Sequence, residues 1–128
     1  VKLANRLWQD DRGATALEFA ILAPVFFLLI LGIVAFGMLF WTQVGLQHGA
    51  EMAARCASVN STLCPNGNPS AITNYALQQA FGLSLPASTF TYSTPTCGNQ
   101  VNATYSFVFP NILKLNPLTL QAQACFPS

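Results

Sequence analysis

The chain has 128 residues with a formal net charge of +1, and 52% of them are apolar while only 7% are charged. Soluble domains carry roughly 25% charged residues, and a length of this order suits one compact unit. The five Lys and Arg residues are scattered and cannot build the clustered basic surface that neutralises phosphates, so nucleic acid is excluded as a partner.

In chain order, residues 1–13 form a hydrophilic leader carrying Lys2, Arg6 and Arg12. The sequence opens on Val1 rather than methionine, which leaves room for further leader residues or an alternative start. From Phe19 to Trp41 the chain then reads FAILAPVFFLLILGIVAFGMLFW, 23 residues without a charge. As a helix this run is about 34 Å long, enough to cross a hydrocarbon core of roughly 30 Å. Fifteen of its residues are Leu, Ile, Val or Phe, each favouring insertion by about 0.3–0.6 kcal/mol near the bilayer centre. A chain this short lacks the layers needed to bury a helix that is apolar all round. A cleaved secretory signal is also a poor fit: its apolar region is shorter, about 7–15 residues, and ends at a small-x-small site, which Met38–Gln43 does not offer.

The predicted topology is therefore a single span. Lys2, Arg6 and Arg12 on one flank, against Arg55 alone on the other, keep the N-terminus in the cytoplasm and export the rest. Trp41 is placed at the exported interface and Trp8 near the other. Pro24 removes one backbone hydrogen bond inside the run and is expected to kink or loosen the helix.

Helical character continues beyond the membrane, so residues 14–57 read as one transmembrane and extended helix. Gln43, Gln47, Glu51 and Arg55 repeat every four residues as a polar stripe, with Glu51 and Arg55 in the favourable order. A second stripe, Gly45, Gly49, Ala53 and Ala57, keeps small residues at the spacing that lets another helix approach closely. Packing against the protein's own domain explains that stripe equally well.

Residues 58–128 read as an exported domain. The segment from Cys56 to Asn68 is rich in turn formers, and Ile72–Phe81 has helical periodicity with Ser70 as N-cap and Gly82 as stop. Three strands follow by period-2 alternation: Phe90 and Tyr92, then Val101 through Phe109, then Leu118 through Phe126. The predicted fold class is α+β: a long N-terminal transmembrane helix, then a short helix and a three-stranded antiparallel meander. One face of the meander covers a helix and the other is polar.

Cys56, Cys64, Cys97 and Cys125 all lie beyond the span, and an even count in a polar exported segment points to disulfides. A zinc site is the competing reading, but there is no CxxC pair and His48 lies on another segment. Four cysteines allow three connectivities; if the second and third strands pair antiparallel, Cys97 falls beside Cys125, which favours that pair together with Cys56–Cys64 over the other two. Such staples suit a domain of about 70 residues, whose core is small.

Just before the span, the sequence Asp11-Arg12-Gly13-Ala14-Thr15-Ala16-Leu17-Glu18-Phe19 resembles the class IVb prepilin processing site. In that family a membrane aspartic peptidase cuts after a glycine, and the fifth and sixth residues after the cut are typically Glu and an aromatic. The resemblance makes Gly13 and Ala14 the processing site and Glu18 and Phe19 assembly residues. Phenylalanine in place of the usual tyrosine leans toward a minor pilin or pseudopilin.

Between Arg12 and Ala57 the chain looks like the TadE-like family of tight-adherence pilus proteins. The features that carry this are Glu18-Phe19, the early Pro24, Gly32 to Gly37 (Gly-Ile-Val-x-Phe-Gly) and the Ala/Arg-rich segment after the span. The family often has an acidic residue where this chain has Ala35, which puts a polar helix-to-helix contact there in doubt. The resemblance covers about a third of the chain well. It implies a pilin-like structural component of a bacterial inner membrane, with a prepilin peptidase and other pilin or pilus-assembly subunits as partners. Without the family, Glu18 has its own physical reading: a carboxylate at the edge of hydrocarbon is costly unless paired. A freed Ala14 amine of a neighbouring subunit would supply the pairing charge, although a favourable place in the first turn of a helix also accounts for it.

Catalysis is not expected. Beyond Arg55 there is no Asp, Glu or His, and Lys114 is the only charged residue, too little for a nucleophile–base constellation. No cofactor and no metal are implied. The alternative to a pilus component is an unprocessed single-span anchor whose exported domain binds a partner or ligand.

Overall fold

A computed structural model describes residues 11–128. The side chains of Lys2, Arg6, Trp8 and Arg12, on which the leader and orientation readings rest, lie outside the described residues. The first element, α1, is one helix from Asp11 to Val59 that keeps Pro24 inside it. The chain divides into two compact units after Phe36.

In the first unit α1 leaves its apolar side chains uncovered: Phe19 is 69% exposed, and Phe26, Phe27, Leu28 and Leu29 are likewise exposed. A helix that is oily on every side and keeps its large side chains exposed from Phe19 to Val34 is matched to lipid, not to water. It is long and apolar enough to cross a membrane.

In the second unit α1 becomes one-sided. Leu39, Thr42, Leu46, Gly49, Ala50, Ala53 and Ala57 are buried, at the spacing of a single helical face. That face packs in a core with Ile72 and Ala76 of α2 (Pro69–Gln79) and with the inner face of a three-stranded sheet. The strands are β1 (Phe90–Ser93), β2 (Asn99–Phe107) and β3 (Leu118–Phe126), antiparallel in the order β1-β2-β3. Val101 and Ala103 of β2 and Leu120, Ala122 and Ala124 of β3 point inward, while Thr104, Gln121 and Gln123 are exposed. The α+β fold with a meander is as expected.

Several boundaries differ from the sequence reading, α2 ending at Gln79 rather than Phe81 and β2 starting at Asn99 rather than Val101 among them. The N-cap of α2 is Asn68, not Ser70: the Asn68 side-chain oxygen accepts from the Ala71 backbone N–H at 3.3 Å. Pro69 then occupies the first helical position, where its fixed φ suits the helix and its missing N–H costs nothing. The second strand ends at Phe107 rather than Phe109. Pro110 cannot donate to a ladder, and Phe109 is nonetheless buried, its ring 5.2 Å from that of Phe107.

Both disulfides are present, Cys56–Cys64 and Cys97–Cys125. The register explains the second. Gln100 pairs with Cys125 across β2 and β3, which sets the preceding loop beside the end of β3. Gly98 makes that loop possible. Its φ of 118° is a conformation that L side chains rarely adopt, and a Cβ there would run into the Phe126 carbonyl oxygen.

Candidate assembly and anchoring site

Gly13 and Ala14 lie within the first turns of α1 and are exposed, as are Glu18 and Phe19. Ala14 and Glu18 are four residues apart and so share one face of the helix. Pro24 follows, also exposed. The carbonyl of Ala20 therefore has no N–H four residues on to accept from.

The small-residue stripe lies against the protein's own domain. A Cβ at Gly45 would sit 2.6 Å from Leu83 Cδ1 and 3.2 Å from the Ala80 carbonyl oxygen. At Gly49 it would sit 2.8 Å from the Ala76 carbonyl oxygen and 2.9 Å from Phe90 Cζ. Ala53 is fully buried and Ala57 nearly so. At Gly49 the backbone of α2 comes too close for a side chain, whereas at Gly45 the tightest neighbour is the movable end of Leu83 and the backbone contact is milder.

The polar stripe acts on the other side. Gln43 Nε2 donates to the Gln121 carbonyl at 2.8 Å and Gln47 Nε2 to the Gln123 carbonyl at 3.4 Å. These acceptors belong to β3, an edge strand, and unpaired edge carbonyls invite pairing with other chains. The glutamines cover that edge. Gln47 also donates to Glu51 at 2.7 Å.

A buried polar chain ties helix to sheet. Asn99 is 1% exposed; its Nδ2 donates to Ser58 Oγ at 3.0 Å, and its Oδ1 accepts from the Tyr92 hydroxyl at 2.5 Å. Ser58 Oγ in turn donates to the Ala54 carbonyl at 3.2 Å. Burial pushes the Tyr92 hydroxyl pKa above its ordinary value of 10.0, because the phenolate would lose hydration. Among the described residues no buried side-chain polar atom lacks a partner. Sequence reading missed this network, although Asn99 stands in phase with the inward Val101 and Ala103. A polar residue on the apolar beat of a strand is the signal that was there to read.

Where α1 leaves its uncharged run, three rings gather. Phe81 stacks on His48 with centroids 4.5 Å apart and planes at 12°, and lies 5.8 Å from Trp41. Phe81 has φ 52°, as the residue that turns the chain out of α2, followed by Gly82 at 72°. A left-handed phenylalanine is costly, and its stack on His48 helps to hold it.

All four cysteines are consumed in disulfides, so none is a thiolate nucleophile or metal ligand. The arrangement holds surfaces and staples, which suits assembly and anchoring.

Residues 13–55, about a third of the chain, match the family model described as TadE-like protein. No curated protein and no solved structure matches the chain significantly.

Proposed function

We propose that this chain, a membrane-anchored structural protein with a TadE-like segment at residues 13–55, is a minor pilin or pseudopilin of a tight-adherence pilus or a related secretion machine. The observation that carries this reading is the family match beginning at Gly13, in the first turns of a helix whose large apolar side chains from Phe19 to Val34 are exposed.

A prepilin peptidase cuts after Gly13. Glycine weakens a helix by about 1 kcal/mol relative to alanine, so local unwinding at this exposed peptide bond is inexpensive. Cleavage removes the leader with Arg12 and creates an amine on Ala14. Glu18 of one subunit neutralises that amine on the next, since a carboxylate and an ammonium at the edge of hydrocarbon are each costly alone. Phe19, Pro24 and the exposed apolar run supply the surface by which subunits pack. The N-terminus stays in the cytoplasm, with residues 1–13 as leader, 14–57 as span and extended helix, and 58–128 as the exported domain of an inner-membrane protein.

Glu18→Ala tests the reading in the native host. Normal membrane insertion with loss of pilus assembly is expected, whereas normal piliation removes the charge-pairing role. Gly13→Lys is expected to leave the chain uncleaved. The alternative, an unprocessed anchor displaying a binding domain, predicts that Gly13→Lys changes nothing.

A further inference from the structure

Two hydrogen bonds fix the direction of β3 beside α1. Gln43 reaches Gln121 and Gln47 reaches Gln123, so four helical residues, about 6 Å, match two strand residues, about 6.6 Å. Strand and helix therefore run side by side in the same sense. Stepping back from Gln121 to Leu118 covers about 10 Å of strand, which reaches the level of Gly37 on α1. The turn joining β2 to β3, residues 108–117, consequently lies at the Gly37–Trp41 end of this unit, where the uncharged run of the sequence finishes.

This turn is oily on its outside. Val108 is 66% and Ile112 68% exposed, and Leu115 and Leu118 are also exposed. Its backbone is prepared for a poorly hydrated place. Pro110 and Pro117 have no N–H, and a 3-10 turn at Asn111–Leu113 closes hydrogen bonds from Leu113 N to Pro110 O at 3.0 Å and from Lys114 N to Asn111 O at 3.3 Å. Lys114, exposed at the tip, is the only cation after Arg55. At the opposite end the exposed Val59 and Leu63 are interspersed with exposed Asn and Ser/Thr residues, Ser61, Thr62, Asn66 and Asn68, and there is no cation after Arg55 there.

The geometry points to a second membrane contact: the β2–β3 turn inserts Ile112 and Leu115 into the boundary between headgroups and acyl chains of the leaflet that α1 leaves, with Lys114 among the anionic headgroups. The occupant is lipid rather than protein because the patch lies at the same end of the domain as the exposed Phe40 and Trp41, where the uncharged run of α1 finishes. A basic residue at the tip of an apolar loop matches a layer that is apolar beneath and anionic above. The turn thus seats the exported domain on the bilayer surface. This inference rests on α1 being a membrane span.

The test uses the full chain with Trp8→Phe and Trp41→Phe, in vesicles of phosphatidylcholine and phosphatidylglycerol containing brominated phosphatidylcholine. Single tryptophans are placed at Ile112, Leu115, Leu28 (mid-span) and Val59, which is 75% exposed at the other end of the domain. Bromine quenching of Ile112→Trp and Leu115→Trp several-fold above that of Val59→Trp is expected, with Leu28→Trp quenched most. If Leu28→Trp is quenched while positions 112 and 115 match Val59→Trp, the turn contact is overturned and the span stands. If Leu28→Trp is itself unquenched, the span reading fails and takes the inference with it. Blue-shifted but unquenched emission at both turn positions means that protein covers the patch, which also overturns the inference.

Discussion

Replacing Gly49 by alanine sets two effects of known size against each other. Alanine in a helix interior is favoured over glycine by about 1 kcal/mol, and α1 is a helix throughout this region. Against that gain, the new Cβ meets the Ala76 carbonyl oxygen at 2.8 Å and Phe90 Cζ at 2.9 Å. The first is backbone of α2, and the second belongs to a ring only 2% exposed, so neither neighbour can swing away. Overpacking of this kind costs about 1–3 kcal/mol, leaving a net destabilisation of about 1 kcal/mol. Gly45→Ala is the comparison. Its closest contact, at 2.6 Å, is Leu83 Cδ1, the far end of a flexible and partly exposed side chain, and the backbone contact at 3.2 Å is milder. There the propensity gain and the steric cost should roughly cancel. Urea unfolding of both variants in mild detergent, followed by near-ultraviolet circular dichroism, reads the difference. Gly49→Ala is expected to be the less stable by about 1 kcal/mol; if it is as stable as Gly45→Ala, or more so, α2 does not press on α1 as described.

Asn99→Ala, which removes the Tyr92 and Ser58 hydrogen bonds and leaves the Tyr92 hydroxyl only the longer contact to Asn66, is expected to lower stability by about 1–2 kcal/mol in the same assay. Because the Tyr92 pKa is raised on folding, its contribution is complete below pH 10 and is lost as pH rises through the folded value. Unfolding followed from pH 9 to 11.5 should show stability falling above about pH 10, with a shallower fall in Tyr92→Phe. The Cys97–Cys125 bridge spans 28 residues and Cys56–Cys64 spans 8. Loop-closure entropy then assigns them about 3.6 and about 2.5 kcal/mol, so paired serine substitutions at 97 and 125 should destabilise more than those at 56 and 64. Gly98→Ala combines a forbidden φ with a blocked approach to Phe126 and should cost more than about 3 kcal/mol, measurable as a collapse in thermal midpoint.

The span, the meander and both disulfides were legible in the sequence because each is written in a long or redundant signal. Twenty-three uncharged residues admit few readings, and alternation sustained from Val101 and again from Leu118 sets the faces and favours the antiparallel pairing that brings Cys97 near Cys125, while the choice among three connectivities waited for the register itself. What was not legible depends on three-dimensional neighbours. The small-residue stripe at Gly45 and Gly49 was equally consistent with a second protein's helix, and only the arrival of Ala76 and Ala80 shows which surface fills it. The roles of Gln43 and Gln47 were hidden for the same reason: a polar residue on a helix carries no mark of the edge strand it will meet. The misplaced cap is different in kind. Asn68-Pro69 is a local signal, and the periodicity of Ile72 onward drew the boundary too late.

The proposed function turns on conversion of this chain from a membrane precursor into a subunit by cleavage between Gly13 and Ala14. Mass spectrometry of the intact protein recovered from native membranes and from sheared pili reads this directly. An N-terminal residue of Ala14 in both fractions is expected. A chain that still carries the residues ahead of Gly13, in cells whose other pilins are processed, contradicts it.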